Sequence, residues 1–278
     1  MQRIMDCRRL IYRIWSWVKF HLTAWNTGGE GVHSPYLYEW VRMVMSDKHS
    51  FYGWSAIEDC RREMLRDNSE LSFVDYGSGA VDMRGRKSVR RICDIARGSL
   101  TKQCYAQMLS RLVNWLGGQL RDEDKGLTIV ELGTSLGVTT AYLAAADSRN
   151  NVLTYEGCEA VAEVARANWQ QLGLKNIQCI VGEIDTKVLS RDLGCVDIAF
   201  VDANHTYASA REYFNVLASK VHAKSVIVMD DIHHSVDMER AWKEICKDAR
   251  VTSTMDLYQM GLVFFDKHYL RRNYKMRL

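Results

Sequence analysis

From Leu127 onward the chain alternates short apolar runs with stretches that are apolar at every third or fourth residue. That is the pattern of parallel β/α units. Strands are predicted at 127–132, 151–156, 176–181, 196–202 and 223–230, and helices at roughly 137–147, 159–172, 184–191, 207–220 and 237–248. Two further apolar runs, 251–257 and 261–265, are separated only by Tyr258, Gln259 and Met260. So short a gap makes them antiparallel, since a parallel crossover needs about a dozen residues. The expected fold is α/β, a three-layer sandwich whose mostly parallel seven-stranded sheet ends in an antiparallel hairpin.

The first 120 residues read differently. Helical spacing covers 8–25, 36–45 (after Pro35, the only proline) and 101–116, with a glycine turn at Gly28, Gly29 and Gly31. Pro35 fixes a helix start, and Gly117-Gly118 are expected to stop the third helix. Residues 1–120 are thus expected to be an all-helical extension or cap, and 121–278 the α/β domain. Phe73-Val74-Asp75-Tyr76-Gly77-Ser78-Gly79 looks like a strand entering a glycine loop, but Met83-Arg84-Gly85-Arg86-Lys87 follows instead of a packed helix. It reads as a loop over the surface, in the manner of a lid.

A second glycine loop has the right company. Thr128-Ile129-Val130 leads into Glu131-Leu132-Gly133-Thr134-Ser135-Leu136-Gly137 and then into the apolar helix of Val138 to Ala146. Gly133 permits a tight turn, Gly137 close packing, and the N–H groups at the helix start suit the negative end of a ligand. The next strand ends in Glu156, 19 residues after Gly137, where a carboxylate can hold ribose hydroxyls. After the third strand come Gly182, Glu183 and Asp185, placed to accept from an adenine amino group, although Asp185 equally suits a helix cap. No G-x-G-x-x-G is present, which disfavours a nicotinamide-dependent reductase.

Open α/β sheets bind ligands beyond the carboxyl ends of their strands. There the fourth strand runs into Asp202-Ala203-Asn204-His205 and the fifth into Asp230-Asp231-Ile232-His233-His234. Two readings stand level. Asp202, Asp230 and Asp231 would hold Mg²⁺ or a softer divalent ion, or a histidine at 205, 233 or 234 would take a proton without metal. Asp202, His205 and His233 are the catalytic candidates.

With these residues in view the chain resembles the class I S-adenosylmethionine (SAM)-dependent methyltransferases, whose Rossmann-like sheets end in such a hairpin. The nearest likeness is to the cation-dependent O-methyltransferases of the catechol and caffeoyl-CoA type. Gln107-Met108-Leu109-Ser110-Arg111-Leu112-Val113 looks like their helix before the first strand, Asp202 matches their metal aspartate, and Asp230-Asp231 stands where they carry Asp-Asn. The resemblance implies that Glu131, Gly133 and Ser135 line the methionine part of SAM, Glu156 the ribose and Glu183 the adenine side, with Thr134, Gly137, Gly182 and Asp202 completing the pocket. It also implies methylation of a small hydroxylated acceptor. N-methylation without metal and a SAM-binding interaction protein are the alternatives. Gly31-Val32-His33-Ser34-Pro35 and the helical front end instead look like a broad set of bacterial methyltransferases.

Composition adds three points. Eight cysteines without a C-x-x-C pair read as reduced thiols of a cytoplasmic protein. Net charge is only +3, so nucleic acid is not an expected partner. No run approaches the ~20 apolar residues of a membrane span. The 8–25 segment mixes Ile, Leu and Trp with Arg and Lys, an amphipathic pattern that fits packing on the domain or a second subunit, or lying on a membrane surface.

Overall fold

The computed structural model describes residues 2–24, 32, 34–74, 87–120, 125–268 and 271–278. The expected glycine turn, His33 and the loop 75–86 lie outside them. The contacts fall into two compact units, Asp47–Leu189, and Met1–Ser46 with Ser190–Leu278.

In Asp47–Leu189, strands β3 (Thr128–Leu132), β4 (Asn151–Glu156) and β5 (Ile177–Val181) run parallel in that order. Leu132 pairs with Tyr155, and Glu156 with Val181. In-phase ends of this kind put the first strand's loop level with the second strand's terminal acid. Helices α6 (Val138–Ala144) and α7 (Glu159–Gln171) follow β3 and β4, and α8 (Thr186–Asp192) follows β5. Helix α5 spans Gln103–Leu120 and passes through Gly117 and Gly118, contrary to the expected stop. Two helical glycines cost about 1 kcal/mol each. Complete burial of Leu109, Leu112 and Leu116, at roughly 2 kcal/mol per side chain, outweighs that.

The first part of this unit is not all-helical. Between α3 (Trp54–Met64) and α4 (Ile92–Ser99) lie β1 (Glu70–Val74) and β2 (Lys87–Arg91), paired antiparallel with Glu70 opposite Arg91. β2 has one aliphatic residue, Val89, among basic and polar ones. Its pairing rests on main-chain hydrogen bonds, which leave no hydrophobic alternation to read. Trp54, Ile57, Met64, Ile92 and Ala96 share one core with Leu136, Val138, Tyr142, Ala165 and Trp169. Inside it Glu58 accepts from Arg61 Nε (2.9 Å) and from the Tyr142 hydroxyl (2.8 Å). The front helices therefore pack directly behind the glycine loop.

In the other unit β6 (Val196–Val201) lies parallel to β7 (Val221–Met229), with Val201 opposite Met229. β9 (Gly261–Phe264) is antiparallel to both β7 and β8 (Ser253–Asp256), which is the reversal expected from the short connection. One strand more than expected is present. β10 (Arg272–Lys275) adds parallel to β8, so the sheet has eight strands rather than seven. Among its basic residues Tyr274 and, just beyond, Met276 alternate inward and are buried; two apolar residues in a charged stretch are a faint signal. Helices α9 (Tyr207–Leu217) and α10 (Val236–Ile245) complete the β/α units. The fold class is α/β and Rossmann-like, with a mostly parallel sheet.

Helix α1 covers Gln2–Thr23, and α2 starts at Pro35, with Ser34 accepting from Leu37 N and a π-helical turn, Val41–Met45, continuing it. Among the described residues no helix is long and apolar enough to cross a membrane.

After α10, Asp248 binds Arg250 through Nε and Nη2, both at 2.8 Å. The guanidinium holds the Asp248 pKa down at about 2. A folded pKa below the unfolded one contributes stability that is complete above about pH 4 and is lost as pH falls through about 2. Asp248→Asn is expected to lower unfolding free energy at pH 7 by roughly 1 kcal/mol once solvent screening of the partly exposed pair is counted, and the difference from the parent is expected to shrink towards pH 2 in urea melts.

Candidate active site

The loop after β3 is held in a shape that needs its glycines. Gly133, Ser135 and Gly137 have φ of 102°, 49° and 78°. Gly133 N and Thr134 N donate to Tyr155 O at 3.0 and 3.2 Å, and Gly137 N to Thr134 O at 3.0 Å. A Cβ on Gly137 would sit 2.6 Å from Trp169 Nε1 and 2.8 Å from Ala165 Cβ. Trp169 Nε1 itself donates to Gly137 O at 2.8 Å. Helix α7 thus clamps the loop, a role for Trp169 that only its i,i+4 spacing from Ala165 hints at in sequence.

Glu156 closes the loop from the second strand. Its Oε2 accepts from Ser135 N (2.8 Å) and its Oε1 from Cys158 N (3.0 Å). Burial pushes its pKa up, against the opposing pull of the Cys158, Ser135 and Gly157 amides. A carboxylate offers about four lone-pair sites, so these amides leave capacity for a hydroxyl. Glu131 has a different environment. It is fully buried, and Oε2 accepts from Thr140 Oγ1 (2.5 Å) and Thr154 Oγ1 (2.6 Å), with Thr134 Oγ1 2.6 Å from Thr154 Oγ1. That threonine cluster anchors the base of the loop. Ser99, which the sequence does not single out, meets the loop through its hydroxyl, 2.6 Å from Ser135 Oγ. Gly182 has φ 135° and donates to Glu156 O at 2.9 Å; Glu183 is exposed beside it. Asp185 accepts from Lys187 N at 2.8 Å, the geometry of a cap at the start of α8.

The polar ends of β6 and β7 form a second set. Asp230 N donates to Val201 O at 2.9 Å, which holds the two strand ends side by side. Three non-glycine residues here have positive φ: Asn204 (59°), His205 (22°) and Asp231 (53°), and strain of this kind gathers at functional sites. Asn204 Nδ2 donates to the Tyr213 hydroxyl at 2.6 Å, tying the first turn to α9. His205 Nε2 is 3.5 Å from Asp202 Oδ1, and His234 Nδ1 is 3.5 Å from Asp231 Oδ2. The His205 and His234 rings stack with centroids 5.9 Å apart. Burial, and then the charge of Asp231, push the Asp202 pKa up to about 7. Burial also lowers that of His205, with Asp231 opposing, so the imidazole is neutral at neutral pH.

His233 belongs to other contacts. It is buried, its Nε2 is 2.9 Å from Asp256 Oδ2, and its ring stacks on Tyr258 with centroids 5.2 Å apart. His234, a lesser candidate from the sequence, is the histidine that stands with His205. Asp230 is buried. Among the described residues no three His, Cys, Asp or Glu side chains are grouped so as to hold a metal ion.

Residues 130–232, from β3 to the turn after β7, match a family model described as a methyltransferase domain. This is the kind of domain that the glycine loop and the closing hairpin pointed to. A methyltransferase from Podospora anserina solved with S-adenosylhomocysteine is 11% identical, with a TM-score of 0.54 over 84% of this chain and 97% of that one. The O-methyltransferase TomG from Streptomyces achromogenes, solved with SAM, is 15% identical, with a TM-score of 0.52 over 78% and 91%. For a protein from Klebsiella pneumoniae assigned as an O-methyltransferase the values are 16%, 0.50, 81% and 94%. At these identities the likeness is one of fold. No curated protein matches.

Proposed function

We propose that the methyltransferase methylates oxygen on a small hydroxylated acceptor. The observation that carries the cofactor side is the closed loop, with the Glu156 carboxylate held by the Ser135 and Cys158 amides and Gly137 seated against Trp169. In this reading Glu156 accepts from the ribose hydroxyls, Ser135 and Thr134 line the methionine part, Gly133 and Gly137 allow the close approach, and Gly182 and Glu183 border the adenine. Bound SAM supplies an electrophilic methyl group. Glu131 acts through the threonines it binds.

On the acceptor side neutral His205 takes the hydroxyl proton, which makes the oxygen nucleophilic. Asp202 orients the imidazole, and Asp231 with His234 makes up the rest of the set. The carboxylates Asp202, Asp230 and Asp231 do not group as a cation cage, so no step is assigned to Mg²⁺. The nature of the acceptor is supported by the SAM-bound O-methyltransferase of the same fold.

S-adenosylhomocysteine release, measured over a panel of phenolic and amine acceptors with and without chelator, tests this. Turnover is expected with phenolic acceptors and is expected to survive the chelator. Turnover with amines alone would overturn the O-methyl reading. Loss under chelator that added Mg²⁺ restores would overturn the metal-free one.

A further inference from the structure

Helix α1 has two apolar faces, and the fold uses one. Tyr12, Ser16, Phe20 and Ala24 recur every four residues and face inward. Ser16, Phe20 and Ala24 are buried, Phe20 lies 5.3 Å from Tyr258 and 6.2 Å from His233 between ring centroids, and the Tyr12 hydroxyl donates to Glu239. On the opposite side Ile11, Ile14, Trp15, Val18 and Leu22 follow at i, i+3, i+4, i+7 and i+11, with exposures of 61%, 56%, 57%, 43% and 81%. A surface helix normally shows one apolar stripe, directed at its own core. A second one, left exposed to water, needs a surface to meet.

Charge identifies that surface. Residues 11–25 include Arg13 and Lys19 and no acid, and Lys19 Nζ stands 4.8 Å over the Trp15 ring at the edge of the stripe. Arg277 Nη2 donates to Ala24 O at 3.2 Å, which ties the C-terminal stretch 271–278, with four basic residues and no acid, to the end of the helix. A second copy of the chain would bring like charges together around the stripe. An anionic lipid surface complements every part: aliphatic side chains enter the acyl boundary, the half-exposed Trp15 and Trp17 suit the headgroup level, and the basic groups meet phosphates.

We propose that α1 docks this methyltransferase onto anionic bilayers, lying in the interface plane with the Ile11–Leu22 stripe inserted and the basic C-terminal stretch on the headgroups. The docked enzyme would then meet acceptors dissolved in or confined to that surface.

Co-sedimentation of the full chain with vesicles of phosphatidylcholine alone, and of phosphatidylcholine mixed with phosphatidylglycerol, tests it. Binding to the mixed vesicles is expected to exceed binding to the neutral ones by at least about tenfold and to weaken with added salt. Trp15→Glu with Leu22→Glu changes exposed side chains only, so its circular dichroism and SAM affinity should match the parent while lipid binding falls at least about tenfold. Failure of the parent to bind the mixed vesicles would overturn the proposal. So would a stable dimer by light scattering that the same double substitution splits, since a second copy would then cover the stripe.

Discussion

Gly137→Ala is expected to remove SAM binding and to destabilise the fold by roughly 2–5 kcal/mol. Two costs add. An alanine at φ 78° adopts a left-handed conformation that costs a non-glycine residue about 1–2 kcal/mol. Its methyl group would also stand 2.6 Å from Trp169 Nε1 and 2.8 Å from Ala165, inside a packed core where overfilling costs about 1–3 kcal/mol. The indole cannot move away cheaply, because its N–H holds Gly137 O. Urea melts and calorimetry on the same sample separate the two effects. A companion change, Trp169→Phe, keeps an aromatic side chain but loses that hydrogen bond and part of the indole's buried volume, and should cost about 1–3 kcal/mol. Stability and SAM affinity unchanged in Gly137→Ala would show that the loop does not depend on this contact.

The second large effect is expected at His205. His205→Asn is expected to lower turnover by roughly 10²–10⁴-fold, the usual worth of a positioned proton acceptor, with SAM affinity unchanged. Asparagine is the suitable replacement because it tolerates positive φ, and His205 stands at 22°. The pH profile carries the sign. Burial disfavours the imidazolium, so the neutral base persists below the ordinary histidine value of about 6.5, and the acid limb of the parent enzyme should lie on the acid side of it. In His205→Asn that limb should disappear. A profile unmoved by the substitution would assign the proton to another group. His233→Asn should act through stability instead, because that ring is buried against Asp256 and Tyr258.

The parallel β/α pattern and the closing hairpin were legible because strands buried on both faces write continuous apolar runs, and because three intervening residues allow only one connection. The loop was legible for a related reason: positive φ at Gly133 and Gly137 restricts the residue type, and Glu156 follows from strand length. Weaker local signals went astray. Gly117-Gly118 reads as a stop, yet tertiary burial of α5 carries the helix through both. β1–β2 and β10 pair through main-chain bonds in basic sequence, where side-chain alternation is nearly absent. Ser99 and Trp169 reach the loop from elements distant in sequence, so no motif contains them. Among the candidate residues, the difference between His233 and His234 is a matter of which way one turn faces. Spacing alone gives both the same claim.

Titration calorimetry of the full chain with SAM and, separately, with NADH, repeated on Glu156→Ala, tests the central claim most directly. Saturable SAM binding, at least about tenfold weaker in Glu156→Ala from the loss of hydrogen bonds to a charged acceptor, together with no heat from NADH, is the predicted result. NADH binding without SAM binding, or SAM binding that Glu156→Ala leaves intact, would contradict the assignment of the Glu131–Gly137 loop and Glu156 to the methyl donor.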